Sequence, residues 1–137
     1  SPVRAHIEDA LALVKTTELP DAIKRQVIPG FCRSAIEAAC ISVIRRKRLG
    51  AGKTHVEVEA AIEECRSTTT LASLALFDDS ERGGDVMARL NRTDRFGSWA
   101  GDVFKQCKEG AHTAAEGDLQ LMVRDAERLA FALLELR

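Results

Sequence analysis

Aromatic side chains are scarce in this chain of 137 residues, which has five Phe, one Trp and no Tyr. Proteins that bind single-stranded nucleic acid through base stacking depend on such rings. With so few rings available, we expect Trp99 and Phe104 to belong to the core. The composition therefore does not favour an aromatic stacking surface.

An excess of charge of one sign is also missing, because 20 basic and 21 acidic residues leave a formal net charge of −1. This balance excludes a globally cationic surface that coats nucleic acid irrespective of sequence, but it leaves room for a local basic patch. The length fits a single domain, residues 1–137, that folds without a disulfide or a metal.

No uninterrupted apolar run approaches the roughly 18 residues of a membrane-spanning helix, and the first residues lack the pattern of a signal peptide. We therefore expect a cytoplasmic protein that does not enter a membrane. The sequence begins Ser1-Pro2 without an initiator Met. This start favours a domain excised from a larger protein, whose other domains would then be its partners.

Cysteine pairs of the kind that bind zinc or carry redox chemistry are absent, since the sequence has no CxxC pair and no His at ligand spacing. We expect reduced thiols in the core, and neither a metal nor another cofactor. The four cysteines are Cys32, Cys40, Cys65 and Cys107.

Apolar residues recur every three and four positions, and the alternation typical of strands is almost absent. This periodicity predicts an all-α fold, a compact bundle of about five to six helices. The predicted helices cover residues 3–15, 29–48, 55–65, 69–77, 96–108 and 119–136, with a helical turn after residue 20 and a short helix at 86–90.

Local signals set several of these bounds. Pro29 suits the first position of the second helix, and Gly50 can end that helix in the left-handed conformation. Thr54 and Glu57 form a capping box that starts the third helix. His55 therefore lies in the first turn of that helix.

The last predicted helix carries the most sustained apolar stripe and should pack on the helix that ends at Arg48. Asp118 is its predicted N-cap. The stripe consists of Leu119, Met122, Val123, Ala126, Leu129, Ala130 and Leu133.

The segment Gly50-Ala51-Gly52-Lys53-Thr54 partly matches a P-loop. The first glycine of GxxxxGK[ST] would fall at position 47, which is Lys47, and a helix precedes the segment where the motif requires a strand. Nucleotide hydrolysis is therefore excluded here. Lys53 and a helix N-terminus can still hold the phosphate group of a ligand.

A second motif overlaps this segment, because Arg48 is followed by six residues and then His55, at the junction of two predicted helices. This arrangement resembles the RX4-6H motif of HEPN domains, and the polar positions in 33–37 are similar to those that many members place near the motif. The resemblance implies a small all-α bundle that forms homodimers and, as in many members, cleaves RNA without a metal.

Cleavage by a ribose 2′-hydroxyl requires a fixed cation on the phosphate and a group that transfers protons near neutral pH. Arg48 suits the first role because its guanidinium binds phosphate through two N–H groups, and His55 suits the second. Glu37 could orient one of them. The predicted RNA contacts are Arg45, Arg46, Lys47 and Lys53.

Each of these residues also has a simpler interpretation. Arg48 can be a helix C-terminal cation, His55 an exposed first-turn residue and the basic run a solvated surface. Arg33 and Glu37 can form an i,i+4 ion pair, and His112 can line a cleft or be a loop histidine without function. The alternative function is therefore a non-catalytic helical module, within a larger defence or regulatory protein, that dimerises or binds a partner. Convergence of Arg48 and His55 on one cleft would favour cleavage, whereas splayed, solvated side chains would favour the alternative.

Overall fold

The computed structural model describes residues 1–92, 96–110 and 113–137. These residues form an all-helical bundle, which confirms the fold class predicted from the periodicity. Seven α-helices are found in the described residues, against about five to six predicted. They are α1 (Pro2–Lys15), α2 (Asp21–Gly50), α3 (His55–Glu64), α4 (Thr68–Phe77), α5 (Val86–Leu90), α6 (Ser98–Glu109) and α7 (Leu119–Leu134), with a 3₁₀ turn at Gly83–Asp85 before α5.

The long helix α2 lies at the centre of the bundle, with α1, α4, α6 and α7 packed around it. Small side chains at its buried positions, including Ala35, Ala39 and Cys40, let these neighbours approach closely. The most extensive helix pair is α2 with α7, as the sequence predicted.

The apolar stripe of α7 is buried at every predicted position, from Leu119 to Leu133. Burial of one such leucine contributes about 2 kcal/mol to the free energy of unfolding. The Asp118 side chain accepts a hydrogen bond from the Leu121 N–H at 3.1 Å, so the predicted N-cap is also confirmed.

The predicted start of the second helix at Pro29 is wrong, because α2 begins eight residues earlier, at Asp21, and Pro29 lies inside it. A proline within a helix cannot donate to the carbonyl four residues before it, here that of Arg25. The Ala115 N–H donates to this carbonyl at 2.9 Å instead. A contact 90 residues away in sequence thus supplies the hydrogen bond that Pro29 cannot make.

The same contact holds the segment before α7 against α2. The Arg25 guanidinium donates to the carbonyls of Ala115 at 3.2 Å and Gly117 at 2.8 Å. Gly110, directly after α6, lies so close to Pro29 that a Cβ atom built on it would be 2.3 Å from the proline Cβ. This position therefore requires glycine for steric reasons.

The end of α2 also differs from the prediction, because the left-handed residue is Gly52, with φ +89°, and not Gly50. Gly50 is the last helical residue. Beyond it, Lys53 N–H donates to Arg48 O and Gly52 N–H to Leu49 O, both at 3.0 Å. This pair of hydrogen bonds is a Schellman motif, which requires the left-handed residue two positions after the last helical one.

The start of α6 is two residues later than predicted, at Ser98 instead of Phe96. Gly97 precedes it with φ +74°, outside the helical region, so Phe96 cannot belong to this helix. Phe96 and Phe104 are fully buried, and Trp99 packs against the core with the Arg128 guanidinium 4.0 Å from the centre of its ring. The predicted core position of Phe104 is therefore confirmed, whereas Trp99 is partly buried and packs against the core.

Three of the four cysteines, Cys32, Cys40 and Cys107, are buried as free thiols, and Cys65 is half-buried. Burial raises the pKa of the Cys40 thiol to about 12. A hydrogen bond with Cys32, together with burial, raises the pKa of the Cys107 thiol well above its ordinary range. The Cys40 and Cys107 thiols therefore stay protonated at neutral pH in the folded protein.

Among the described helices, α2 is long and apolar enough to span a membrane, with a mean hydropathy of 1.6 over 18 residues. Half of that window is buried inside the bundle. The central helix of a water-soluble bundle meets the same criterion, so length and composition do not distinguish the two cases. The absence of a membrane span stays a prediction.

Candidate functional site

The turn between α2 and α3 fixes the backbone on which the motif residues lie. The Schellman motif holds Lys53 against the last turn of α2, and Thr54 Oγ1 accepts a hydrogen bond from the Glu57 N–H at 3.1 Å. The predicted Thr54 cap is therefore confirmed. Arg48 lies in the last turn of one helix, and His55 is the first residue of the next.

A cavity of about 450 Å³ opens beside this turn, and we call it the basic cavity. Four cationic side chains and one carboxylate line it, which favours an anionic ligand. Its lining residues are Lys47, Arg48, Ala51, Lys53, Asp78 and Arg137.

Arg48 is held in the basic cavity by Asp78, the residue directly after α4. Arg48 Nε donates to Asp78 Oδ1 at 2.9 Å, and Nη2 lies 3.4 Å from the Asp78 carbonyl oxygen. The Asp78 side chain is 68% exposed, and such exposed ion pairs contribute at most about 1 kcal/mol. An arriving phosphate can therefore compete with Asp78 for this guanidinium.

Two lysines add charge to the basic cavity in different ways. Lys47 is half-buried and donates from Nζ to the Ala75 carbonyl at 3.1 Å. Burial, with the neighbouring charge of Arg46, lowers the pKa of Lys47. Lys53 is exposed at the turn. The predicted phosphate contacts Lys47 and Lys53 thus lie together beside Arg48.

The structure places the other two residues of the basic run, Arg45 and Arg46, in contacts within the fold and not in the lining of the basic cavity. Arg45 Nε lies 3.2 Å from both carboxylate oxygens of Glu59 on α3, and this pairing lowers the pKa of Glu59. Arg46 donates to the carbonyls of Leu134 and Leu136. Arg46 thereby satisfies carbonyls at the C-terminal end of α7, where a cation is favourable.

His55 is exposed in the first turn of α3, as the capping box predicted. His55 lies four residues before Glu59, on the same side of α3. His55 is not among the described residues that line the basic cavity. Within one chain, His55 therefore does not line the cavity that contains Arg48.

Glu37 lies far from the motif. It is eleven residues before Arg48 on α2, a distance of about 16 Å along the helix axis. The Glu37 carboxylate accepts a hydrogen bond from Thr68 Oγ1 at 3.1 Å, and no ion pair joins it to Arg33 in the described part of the chain. The structure therefore separates Glu37 from both Arg48 and His55.

Glu37 instead lines a second cavity, of about 340 Å³, at the N-terminal end of α4. We call it the α4 N-terminal cavity. Its lining residues are Arg33, Glu37, Arg66, Ser67, Thr68 and Lys108.

Four charged residues that line the two cavities were not predicted from the sequence, namely Arg66, Asp78, Lys108 and Arg137. They reach the cavities from elements that are distant in sequence, and no local pattern marks them. His112 lies outside the described residues. In the part of the chain that is described, no three His, Cys, Asp or Glu side chains cluster as metal ligands do.

Comparison of the chain with protein-family models, with curated proteins and with solved structures finds no match.

Proposed function

We propose that this protein is a HEPN-like RNA-binding domain that cleaves RNA without a metal, as a homodimer. The single observation that carries the proposal is the basic cavity, in which Arg48, Lys47 and Lys53 of the motif segment meet Arg137. Four cations around about 450 Å³ fit the phosphate groups of an RNA strand.

In the proposed reaction, a ribose 2′-oxygen forms a bond to the adjacent phosphorus, and the bond from that phosphorus to the 5′-oxygen of the next nucleotide breaks. The 2′-hydroxyl loses its proton, and the departing 5′-oxygen gains one. His55 is the residue that we assign to proton transfer, and Arg48 stabilises the negative charge that develops on the phosphate oxygens.

The position of His55 supports a composite site. Because His55 lies outside the basic cavity of its own chain, the proposed homodimer brings the Arg48 and His55 segments of both copies to one shared cleft. His55 is exposed, so its side chain is accessible to a second copy of the chain.

The second candidate is a non-catalytic module that dimerises or binds a partner. The observation that favours it is the same separation of Arg48 and His55, together with the ion pair that Arg48 forms with Asp78. In this alternative Arg48 is a structural residue and His55 is merely solvated.

The deciding experiment incubates the purified protein with total RNA in excess EDTA, beside a His55→Ala variant. We expect cleavage that resists EDTA in the wild type and a loss of about 10²-fold to 10⁴-fold in the variant. His55 is exposed, so the variant should unfold at the wild-type temperature. Equal cleavage by both proteins would mean that the activity belongs to another site or to a contaminant, and no cleavage by either would favour the non-catalytic module.

A further inference from the structure

The α4 N-terminal cavity brings three cationic side chains together from three separate elements. Arg33 lies on α2, Arg66 in the connection between α3 and α4, and Lys108 in the last turn of α6. None of the three forms an ion pair with a carboxylate in the described part of the chain. Glu37, which also lines the cavity, relieves only part of their mutual repulsion, and a bound anion would relieve more of it.

The one carboxylate in this cavity does not neutralise the three cations. Glu37 is engaged by the hydroxyl of Thr68, which donates to Oε2 at 3.1 Å. The lining thus keeps an excess of two positive charges. Arg33 and Lys108 are both half-buried, which strengthens their attraction for an anion relative to a fully solvated cation.

The start of α4 adds backbone donors to the lining of this cavity. Ser67 is the N-cap of α4, and its side chain accepts from the Thr70 N–H at 3.1 Å. The first N–H groups of a helix have no partner within it, so the start of α4 adds donors and the positive end of a dipole to the three cations.

The two cavities lie at opposite ends of α4, both beside α2. Glu37 contacts Thr68 at the start of α4, and Arg48 contacts Asp78 at its end, so α2 and α4 run parallel. The eleven residues from Glu37 to Arg48 make close to three full turns, which places both on one face of α2, about 16 Å apart. A stacked nucleic-acid strand advances about 3.4 Å per nucleotide, so this separation corresponds to about five nucleotides.

We propose that the α4 N-terminal cavity is a second binding site for a phosphate group, supplied by the RNA strand whose reacting phosphate occupies the basic cavity. The assignment of the phosphate to RNA rests on the proposed function, whereas the phosphate site itself does not. A free phosphorylated compound is the other source of the same chemistry, and the experiment separates the two.

The test uses a double variant, Arg66→Ala with Lys108→Ala, and the matched control Lys105→Ala. Lys105 is on α6 beside Lys108, its side chain is 61% exposed, and it lines neither cavity. The variants should have equal melting temperatures, because Arg66 and Lys105 are exposed and Lys108 is only half-buried.

The first arm titrates inorganic phosphate into the wild type and follows backbone amide resonances by NMR. We expect shifts at Arg66, Ser67, Thr68 and Lys108 that the double variant lacks and the Lys105→Ala control retains. The second arm measures binding of 2′-O-methyl RNA of three and of ten nucleotides, which 2′-hydroxyl attack cannot cleave.

For the ten-nucleotide RNA we expect the double variant to bind about tenfold more weakly than the control. The slope of log affinity against log salt concentration should also be smaller by about 0.7, which is the value for one phosphate contact on a single strand. The trinucleotide is too short to reach both cavities, so its affinity should fall much less.

Absence of phosphate-dependent shifts in the wild type, with unchanged binding of the long RNA by the double variant, would overturn the proposal. Phosphate shifts that the double variant lacks, with unchanged RNA binding, would uphold the phosphate site and assign it to a free phosphorylated compound. If the wild type binds no RNA at all, the proposed function fails, and the phosphate arm alone still decides whether the site exists.

Discussion

Arg48 uses Nε and Nη2 for its contacts with Asp78, which leaves Nη1 without a hydrogen-bond partner among the described residues. If Arg48 stabilises charge on the reacting phosphate, the planar fork matters as much as the positive charge. We predict that Arg48→Lys retains RNA binding but lowers the cleavage rate about 10²-fold or more. Single-turnover cleavage and a binding titration measure the two quantities.

The control for Arg48→Lys is Arg124→Lys on α7. Arg124 pairs with Glu127 and lines neither cavity, so this variant should cleave at the wild-type rate. If the Arg48→Lys variant cleaves RNA at the wild-type rate, the guanidinium of Arg48 does not stabilise the reacting phosphate.

Cys40 gives the protein a pH-dependent stability at alkaline pH. Burial raises its pKa to about 12, from an ordinary value of 9.0. Because this pKa is raised in the folded state, the Cys40 thiol of the unfolded chain loses its proton at a lower pH than the thiol of the folded protein. The contribution of Cys40 to the free energy of unfolding is therefore complete below pH 9 and is lost as the pH rises toward 12. We predict that the free energy of unfolding falls between pH 9 and 11, measured by urea denaturation.

The matched variant for this prediction is Cys40→Ala. It should be less stable than the wild type at pH 7, because it leaves a cavity in the core. Between pH 9 and 11 its free energy of unfolding should fall less steeply than that of the wild type. If the free energy of unfolding falls equally steeply with pH in both proteins, groups other than Cys40 cause the loss of stability at alkaline pH.

At the scale of single helices, the N-cap of α3 stabilises the turn that carries the motif. Thr54 Oγ1 accepts from the Glu57 N–H, and loss of such a cap typically costs about 1 kcal/mol. We predict that Thr54→Ala lowers the free energy of unfolding by this amount in urea denaturation, while the folded fraction keeps its activity. Thr54→Ser retains the hydroxyl and should remain within a few tenths of a kcal/mol of the wild type.

The junction of α6 with α2 gives a second prediction at this scale. Alanine at Gly110 would place its Cβ 2.3 Å from that of Pro29, a clash between two rigid groups. We predict that Gly110→Ala destabilises the fold by about 1–3 kcal/mol, measured by thermal and urea denaturation.

The control for Gly110→Ala is Gly30→Ala on α2. A Cβ at Gly30 meets nothing within 4 Å, and alanine favours a helix interior by about 0.5–1 kcal/mol over glycine. This variant should therefore be as stable as the wild type or more so. Equal stability of the Gly110→Ala protein would mean that α6 can move away from Pro29 without cost.

The helices that the sequence predicts correctly are those whose signals are local. The stripe of α7 and the Thr54 and Asp118 caps follow from residues three or four positions apart. The start of α2 could not be predicted, because Pro29 is tolerated through the Ala115 N–H, a contact that only the tertiary fold creates.

In the candidate site too, the sequence predicts what depends on nearby residues and not what depends on tertiary contacts. Lys47, Arg48 and Lys53 are close in sequence, and the turn brings them to one cavity. The partner of Arg48 is Asp78, thirty residues away, and Arg45 is paired with Glu59. No spacing rule indicates these ion pairs, so the sequence could not predict which cations remain free to bind a ligand.

At the scale of the whole molecule, we predict that the protein forms a homodimer. Val56, next to His55, is 80% exposed, the highest value among the large hydrophobic residues that lie on the described surface. A shared cleft between two motif segments would cover this side chain. We predict that sedimentation velocity at micromolar concentration gives about twice the chain mass, because an apolar residue gains stability when a partner removes it from water.

Val56→Asp should convert this dimer to a monomer and abolish EDTA-resistant cleavage without unfolding the protein, since an acidic residue in the first turn of a helix is favourable. The control Leu121→Asp changes another exposed apolar residue, at the end of α7 opposite to the one that Arg46 contacts, and should remain dimeric. If the wild type is already a monomer, Arg48 and His55 have no second copy with which to form a composite cleft. The separation of Arg48 and His55 within one chain would then favour the non-catalytic module, and the basic cavity would serve to bind an anionic partner without cleaving it.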